Sequence, residues 1–146
     1  MTTMTATTTQ VYSIFIKATP EAIWEAITTP EFTEKYFYGM RIGLVDGRRI
    51  TTTPDGSQLS NEEVVEEDPP RKLVHEWRSM WDPDMAAEPA SRVTWEIEPG
   101  EDGVSLLTVV HDRLESSPKT AAGVAGGWMR VISGLKTLLE TGKPLA

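Results

Sequence analysis

The chain of 146 residues has no cysteine. That removes disulfides, thiolate metal sites and a cysteine nucleophile together. It also lacks any apolar run near the roughly 20 residues needed to span a bilayer. The opening MTTMTATTTQ carries neither positive charge nor an apolar stretch, so nothing reads as a signal peptide. Residues 1–9 read as a disordered polar tail before a single domain over residues 10–146, and the expected location is the cytoplasm. Basic residues are scarce: 14 lysines and arginines against 22 acids give a net charge of −8, which argues against a nucleic-acid surface. With only two histidines and no spaced third ligand, no metal site is expected, nor any cofactor.

What is present suits one core. A chain of this length buries about 70% of its unfolded surface. Acids crowd into Glu62-Glu63-Val64-Val65-Glu66-Glu67-Asp68. This run reads as a solvated strand face that discourages edge pairing, with a docking patch for a basic partner as the alternative.

Gln10 to Lys17 is rich in β-branched and aromatic residues and predicts a strand. Thr19-Pro20-Glu21 and Thr29-Pro30-Glu31 then repeat one helix-start signal: a capping hydroxyl, a proline at the first helical position and an acid in the positive first turn. Two short helices follow, the first with Ile23, Trp24 and Ile27 inward. From Arg41 the period becomes two. Asp46-Gly47 and Asp55-Gly56 mark turns, and strands are expected over about 41–46, 48–53, 58–67, 72–80, 92–98 and after Gly103. The segment 81–90, WDPDMAAEPA, has two prolines and no periodicity and predicts a mobile loop. The last segment is a long amphipathic helix that starts at Ser117-Pro118 and stops at Gly142. Trp128, Ile132, Leu135 and Leu139 form its stripe, widened by Val124, Val131 and Leu138. Sequential strands with short turns imply an antiparallel meander curling around that helix.

The chemistry-bearing residues cluster by alternation. Val93, Trp95 and Ile97 share one strand face, Leu107, Val109 and His111 another, and Leu73, His75 and Trp77 a third. A His111–Asp112 dyad is the sharp reading, yet Asp112 points to the opposite face and no G-x-S-x-G nucleophile turn occurs. The blander reading places His111 at the polar rim of an apolar cavity walled by tryptophans. Gly123, Gly127 and Gly134 form a strip on the long helix, with Gly126 nearby, and remove volume where another surface approaches. That surface is a ligand, a neighbouring loop or a second subunit.

Four stretches carry a family likeness: IKATPEAIWEAITTPE (16–31), EEDPPRKLVHEW (66–77), SRVTWEIEP with LLTVVHD (91–112), and GGWMRVISGLKTLLETG (126–142). The chain resembles the activator of Hsp90 ATPase homologue 1-like family of the START-like superfamily, alongside birch-pollen-allergen-like proteins and polyketide cyclases. The resemblance implies an α+β helix-grip fold: a curved seven-stranded antiparallel sheet, with two short helices after its first strand, wrapped around the long C-terminal helix, with a cavity between. Trp24, His111 and Trp128 match typical family positions. Eukaryotic Hsp90 activators add an N-terminal domain for stimulating the ATPase, and no such domain is expected in these 146 residues.

The leading expectation is a non-enzymatic binding module for a hydrophobic molecule, aromatic, polyketide-like or lipid-like. Its expected cavity lining comprises His75, Trp77, Trp95, Val109 and His111 from the strands. Trp128, Val131, Ile132 and Leu135 complete it from the helix, with Trp81 and Met85 on a lid. A stress-linked Hsp90-type chaperone partner is the second reading, and a cyclase- or hydrolase-like enzyme using His111 the third. A collapsed core without ligand uses the same residues. The expected oligomer is a monomer or a weak homodimer.

Overall fold

The computed structural model describes residues 8–145; most of the expected tail, residues 1–7, lies outside them. Strand β1 (Gln10–Ile16) is followed by helices α1 (Pro20–Thr28) and α2 (Pro30–Tyr36). Strands β2 (Arg41–Val45), β3 (Arg48–Thr52), β4 (Gln58–Asp68) and β5 (Lys72–Trp77) come next. The short helix α3 (Pro83–Ala86), strands β6 (Ser91–Pro99) and β7 (Ser105–Asp112), and helix α4 (Pro118–Thr141) complete the chain. All seven strands join one antiparallel sheet in the order β1-β7-β6-β5-β4-β3-β2, which curves around α4 as a helix grip.

Local chemistry explains the elements. The Thr19 hydroxyl accepts the Ala22 N–H at 3.1 Å and caps α1, whereas Thr29 makes no side-chain cap for α2. Asp46 and Gly47 both hold positive φ, 50° and 76°, the primed turn that matches strand twist. The inner face of α1 is Ile23, Ala26 and Ile27; Trp24, expected inward, is only partly buried against the core. Gly142, at φ 79°, ends α4 with its N–H on the Leu138 carbonyl.

Curvature has a visible cause. Strand β4 pairs with β3 through residues up to Glu63 and with β5 from Val64 onward, with a register shift between Val64 and Glu66. A bulge of this kind bends a strand and increases local twist, and it leaves Val65 facing solvent. The acidic run is therefore divided. Glu63, Glu66 and Glu67 are exposed, while Glu62 is turned inward and buried.

The helix glycines meet different surroundings. A Cβ on Gly134 would lie 3.1 Å from Tyr36 Cβ, so this glycine lets α2 and α4 pack closely, whereas Gly126 faces open space. Gly126→Ala is expected to stabilise the protein by up to about 1 kcal/mol through helix propensity. Gly134→Leu is expected to destabilise it by about 1–3 kcal/mol through overpacking. Urea unfolding of the two variants checks both signs.

Candidate functional site

Two buried indole–imidazole pairs organise the centre of the sheet. His75 and His111 flank Val93 across three adjacent strands, and neither is exposed. Trp128 on α4 donates its Nε1–H to His111 Nδ1 at 3.0 Å, and His111 Nε2 lies 2.7 Å from Ser91 Oγ. An indole nitrogen can only donate, so Nδ1 is bare and the imidazole proton sits on Nε2, directed at Ser91. The Ser91 hydroxyl in turn donates to the Trp77 carbonyl at 3.4 Å. In the second pair Trp95 Nε1–H donates to His75 Nε2 at 3.0 Å, and His75 Nδ1–H donates to the Glu76 carbonyl at 2.8 Å. The two histidines hold opposite tautomers.

Electrostatics agrees with this geometry. Burial pushes the His111 imidazole down to about 4 against the pull of Asp112. Burial, helped by the Arg49 charge, holds His75 well below the ordinary range. Asp112 turns to the outer face, where Arg92 grips both its oxygens at 2.9 and 2.5 Å. Both His111 ring nitrogens are engaged, and no dyad forms.

The cavity lies to one side of these pairs, between α4 and the β2–β4 end of the sheet, with a volume of about 440 Å³. Its apolar wall includes Phe37, Met40, Ile42, Trp77, Trp128 and Val131. Its mouth carries three exposed apolar side chains: Tyr38, Met80 and Trp81. On its polar side Arg49 and Glu62, directly opposed on β3 and β4, pair at 2.8 Å with side chains 4% and 6% exposed. Glu62 Oε2 also accepts the Arg78 N–H at 3.0 Å, where β4 has parted from β5. Burial pushes the Glu62 carboxyl up, outweighing the pull of Arg49.

Of the residues expected to line a cavity, Trp77, Trp81, Trp128 and Val131 border this one. His75, Trp95, Val109, His111, Ile132 and Leu135 lie in the packed core behind it. His111 is not at a rim, because its acceptor role for Trp128 draws it under the helix. Met85 is buried against α4, where a Cβ on Gly123 would come within 2.3 Å of its Cε. The 81–90 segment is also more ordered than its lack of periodicity suggests. The Asp82 carboxylate caps α3, and Arg78 Nη1 donates to the Ala86 and Glu88 carbonyls. The Glu88 carboxylate accepts the Lys119 and Thr120 N–H groups at the start of α4. Asp82-Pro83-Asp84 repeats the earlier helix-start signal and could have revealed α3. Among the described residues no group of three potential ligands is placed to hold a metal ion, and no helix is long and apolar enough to cross a membrane.

Two measurements follow from the imidazoles. A long-range proton–nitrogen spectrum near pH 6 is expected to show neutral rings, Nε2–H for His111 and Nδ1–H for His75; matching tautomers would refute the two indole contacts. Unfolded histidine titrates at about 6.5. Between that value and about 4 the unfolded chain holds the His111 proton and the folded chain does not. The stability His111 contributes is therefore full above pH 6.5 and is lost as pH falls toward 4. Unfolding free energy is expected to drop by about 2 kcal/mol between pH 7 and 5 from this group, with a shallower slope in His111→Gln.

Comparison with known proteins places this architecture. Curated protein sequences offer no match. A structure from Mesorhizobium loti is 24% identical over 90% of this chain and 96% of its own, with a TM-score of 0.72. The dimeric Aha1 of Colwellia psychrerythraea is 20% identical over 92% and 98%, TM-score 0.71. An HSP90 activator from Plasmodium falciparum is 17% identical over 94% and 99%, TM-score 0.72. At these identities the likeness speaks for the fold. The family described as activator of Hsp90 ATPase homolog 1-like protein matches residues 17–140. The chain belongs to that family, within the START-like superfamily.

Proposed function

We propose that the protein is a binding module for a hydrophobic small molecule held between α4 and the β2–β4 end of the sheet. The observation that carries this reading is the cavity of about 440 Å³, within the range of about 300–1,000 Å³ usual for ligand sites. Apolar walls with a few polar groups are the composition such sites have. Gly127 bears on the same point, since it lines the cavity and a Cβ added there would lie 3.6 Å from Tyr38 Oη.

Saturable shifts of the Trp77, Trp81 and Trp128 indole resonances are expected when flavonoids, polyketide-like aromatics and fatty acids are titrated. A spectrum unmoved by the whole panel sinks the reading. Gly127→Leu is expected to weaken binding about tenfold or more while keeping or raising the unfolding midpoint, because leucine is the better helix former.

Family membership supports a second reading, a partner of an Hsp90-type chaperone, since one relative is an HSP90 activator. The exposed Glu63, Glu66 and Glu67 supply acidic surface for it. Unchanged chaperone ATPase rates on addition of the protein would remove it.

A further inference from the structure

The polar side of the cavity indicates what kind of molecule it takes, on the premise of the small-molecule reading above. The Arg49 guanidinium lies over two adjoining rings, 5.7 Å from the Phe37 centroid and 5.5 Å from that of Trp77. Its side chain is 4% exposed, so it is fixed by its surroundings. Guanidinium carries five N–H groups, yet among the described residues Arg49 makes one hydrogen bond, from Nη1 to Glu62 Oε1 at 2.8 Å. Glu62, by contrast, is engaged through both oxygens. Among the described residues no fully buried side-chain nitrogen or oxygen lacks a partner. Nε and Nη2, which have no partner there, therefore keep some access to open space, and the space Arg49 borders is the cavity.

A purely structural ion pair gives a weak account of this arrangement. Exchanging a buried pair for apolar side chains is often neutral or stabilising, and the ring contacts of Arg49 do not account for N–H groups left without an acceptor on a cavity wall. The charges bordering the cavity are Arg49 and Arg78 against Glu62, a surplus of one positive charge in a chain of net charge −8. A planar guanidinium with adjacent free donors matches a carboxylate through two parallel hydrogen bonds.

We propose that Arg49 is a ligand-binding residue and that the cavity takes an apolar monocarboxylic acid, its carboxylate on the free Arg49 N–H groups and its apolar body along Trp77, Trp128 and Val131.

Matched ligand pairs test this on the full chain: dodecanoate against dodecanol for a lipid-like body, and 2-naphthoate against its methyl ester for an aromatic one. At neutral pH each acid that binds is expected to bind about tenfold or more tighter than its neutral counterpart. The pair with the tighter acid identifies the body. Arg49→Met combined with Glu62→Gln removes both charges, so no lone buried charge remains to unfold the protein. The ratio of acid to neutral affinity is expected to fall to about one there. Should that variant not fold, the Arg49 Nε–H resonance of the unsubstituted protein is expected to move with the acids and stay with the neutral molecules. Equal binding of acids and neutral counterparts overturns the acid proposal and leaves the small-molecule reading intact. An acid preference that survives in the double variant overturns the role of Arg49. If no compound binds, both readings fall.

Discussion

A tryptophan buried beneath a helix must place its indole N–H on an acceptor, because an unmade hydrogen bond there costs about 1–3 kcal/mol. Much of this structure follows from how Trp128 meets that demand. Its acceptor is His111, which must stay neutral with Nδ1 bare. That fixes the proton on Nε2, where it is donated to Ser91 Oγ, and the Ser91 hydroxyl donates its own proton to the Trp77 carbonyl. One indole on α4 is thereby linked to β7, β6 and β5. The helix is fixed in position on the sheet by directional bonds as well as by its apolar stripe. Trp95 and His75 repeat the solution within the sheet. Together they explain why the inward face of β7 ends on a histidine: imidazole is compact, and it accepts on one nitrogen while donating from the other.

The same bonds set the limits of the cavity. His75, His111 and Trp95 are committed to one another and to the helix, so the open space lies elsewhere, toward β2, β3 and β4. There α4 presents Gly127 and the sheet presents Arg49 and Glu62. The wall is apolar where α4 and the end of β5 meet it, and charged where β3 faces β4. Such a division suits a molecule with a greasy body and one polar end.

Much of the fold was legible in the sequence because its signals were local. Threonine–proline–acid triplets started α1 and α2, Asp46-Gly47 set a hairpin, and the 3.6-residue stripe from Val124 to Leu138 defined α4. The strand faces carrying His75, Trp95 and His111 also read correctly by alternation. Side-chain partnership was harder to read, since it depends on strand order and on the crossing of α4. Alternation on β3 favours Ile50 as the inward residue over Arg49, yet Arg49 is the one buried. The clue was in the register: a hairpin centred on Asp55-Gly56 sets Arg49 opposite Glu62 and Arg48 opposite Glu63, two opposite-charge pairs. Loop 81–90 was missed because hydrophobic periodicity is silent over a single turn of helix, where the capping triplet is the only signal.

The bulge at Val65 divides the sheet into two regions. On one side the strands are tied by the indole–imidazole chain; on the other, β2, β3 and the first half of β4 curve away to wall the cavity. Among the described residues, Trp77 and Trp128 are the members of that chain that also line the cavity. Substitutions at Ile42, Thr51, Leu59 or Ser60 can therefore reshape the pocket without touching the bonds that seat α4. Specificity is free to drift while the scaffold stays constant, and the sheet's own joint separates the two.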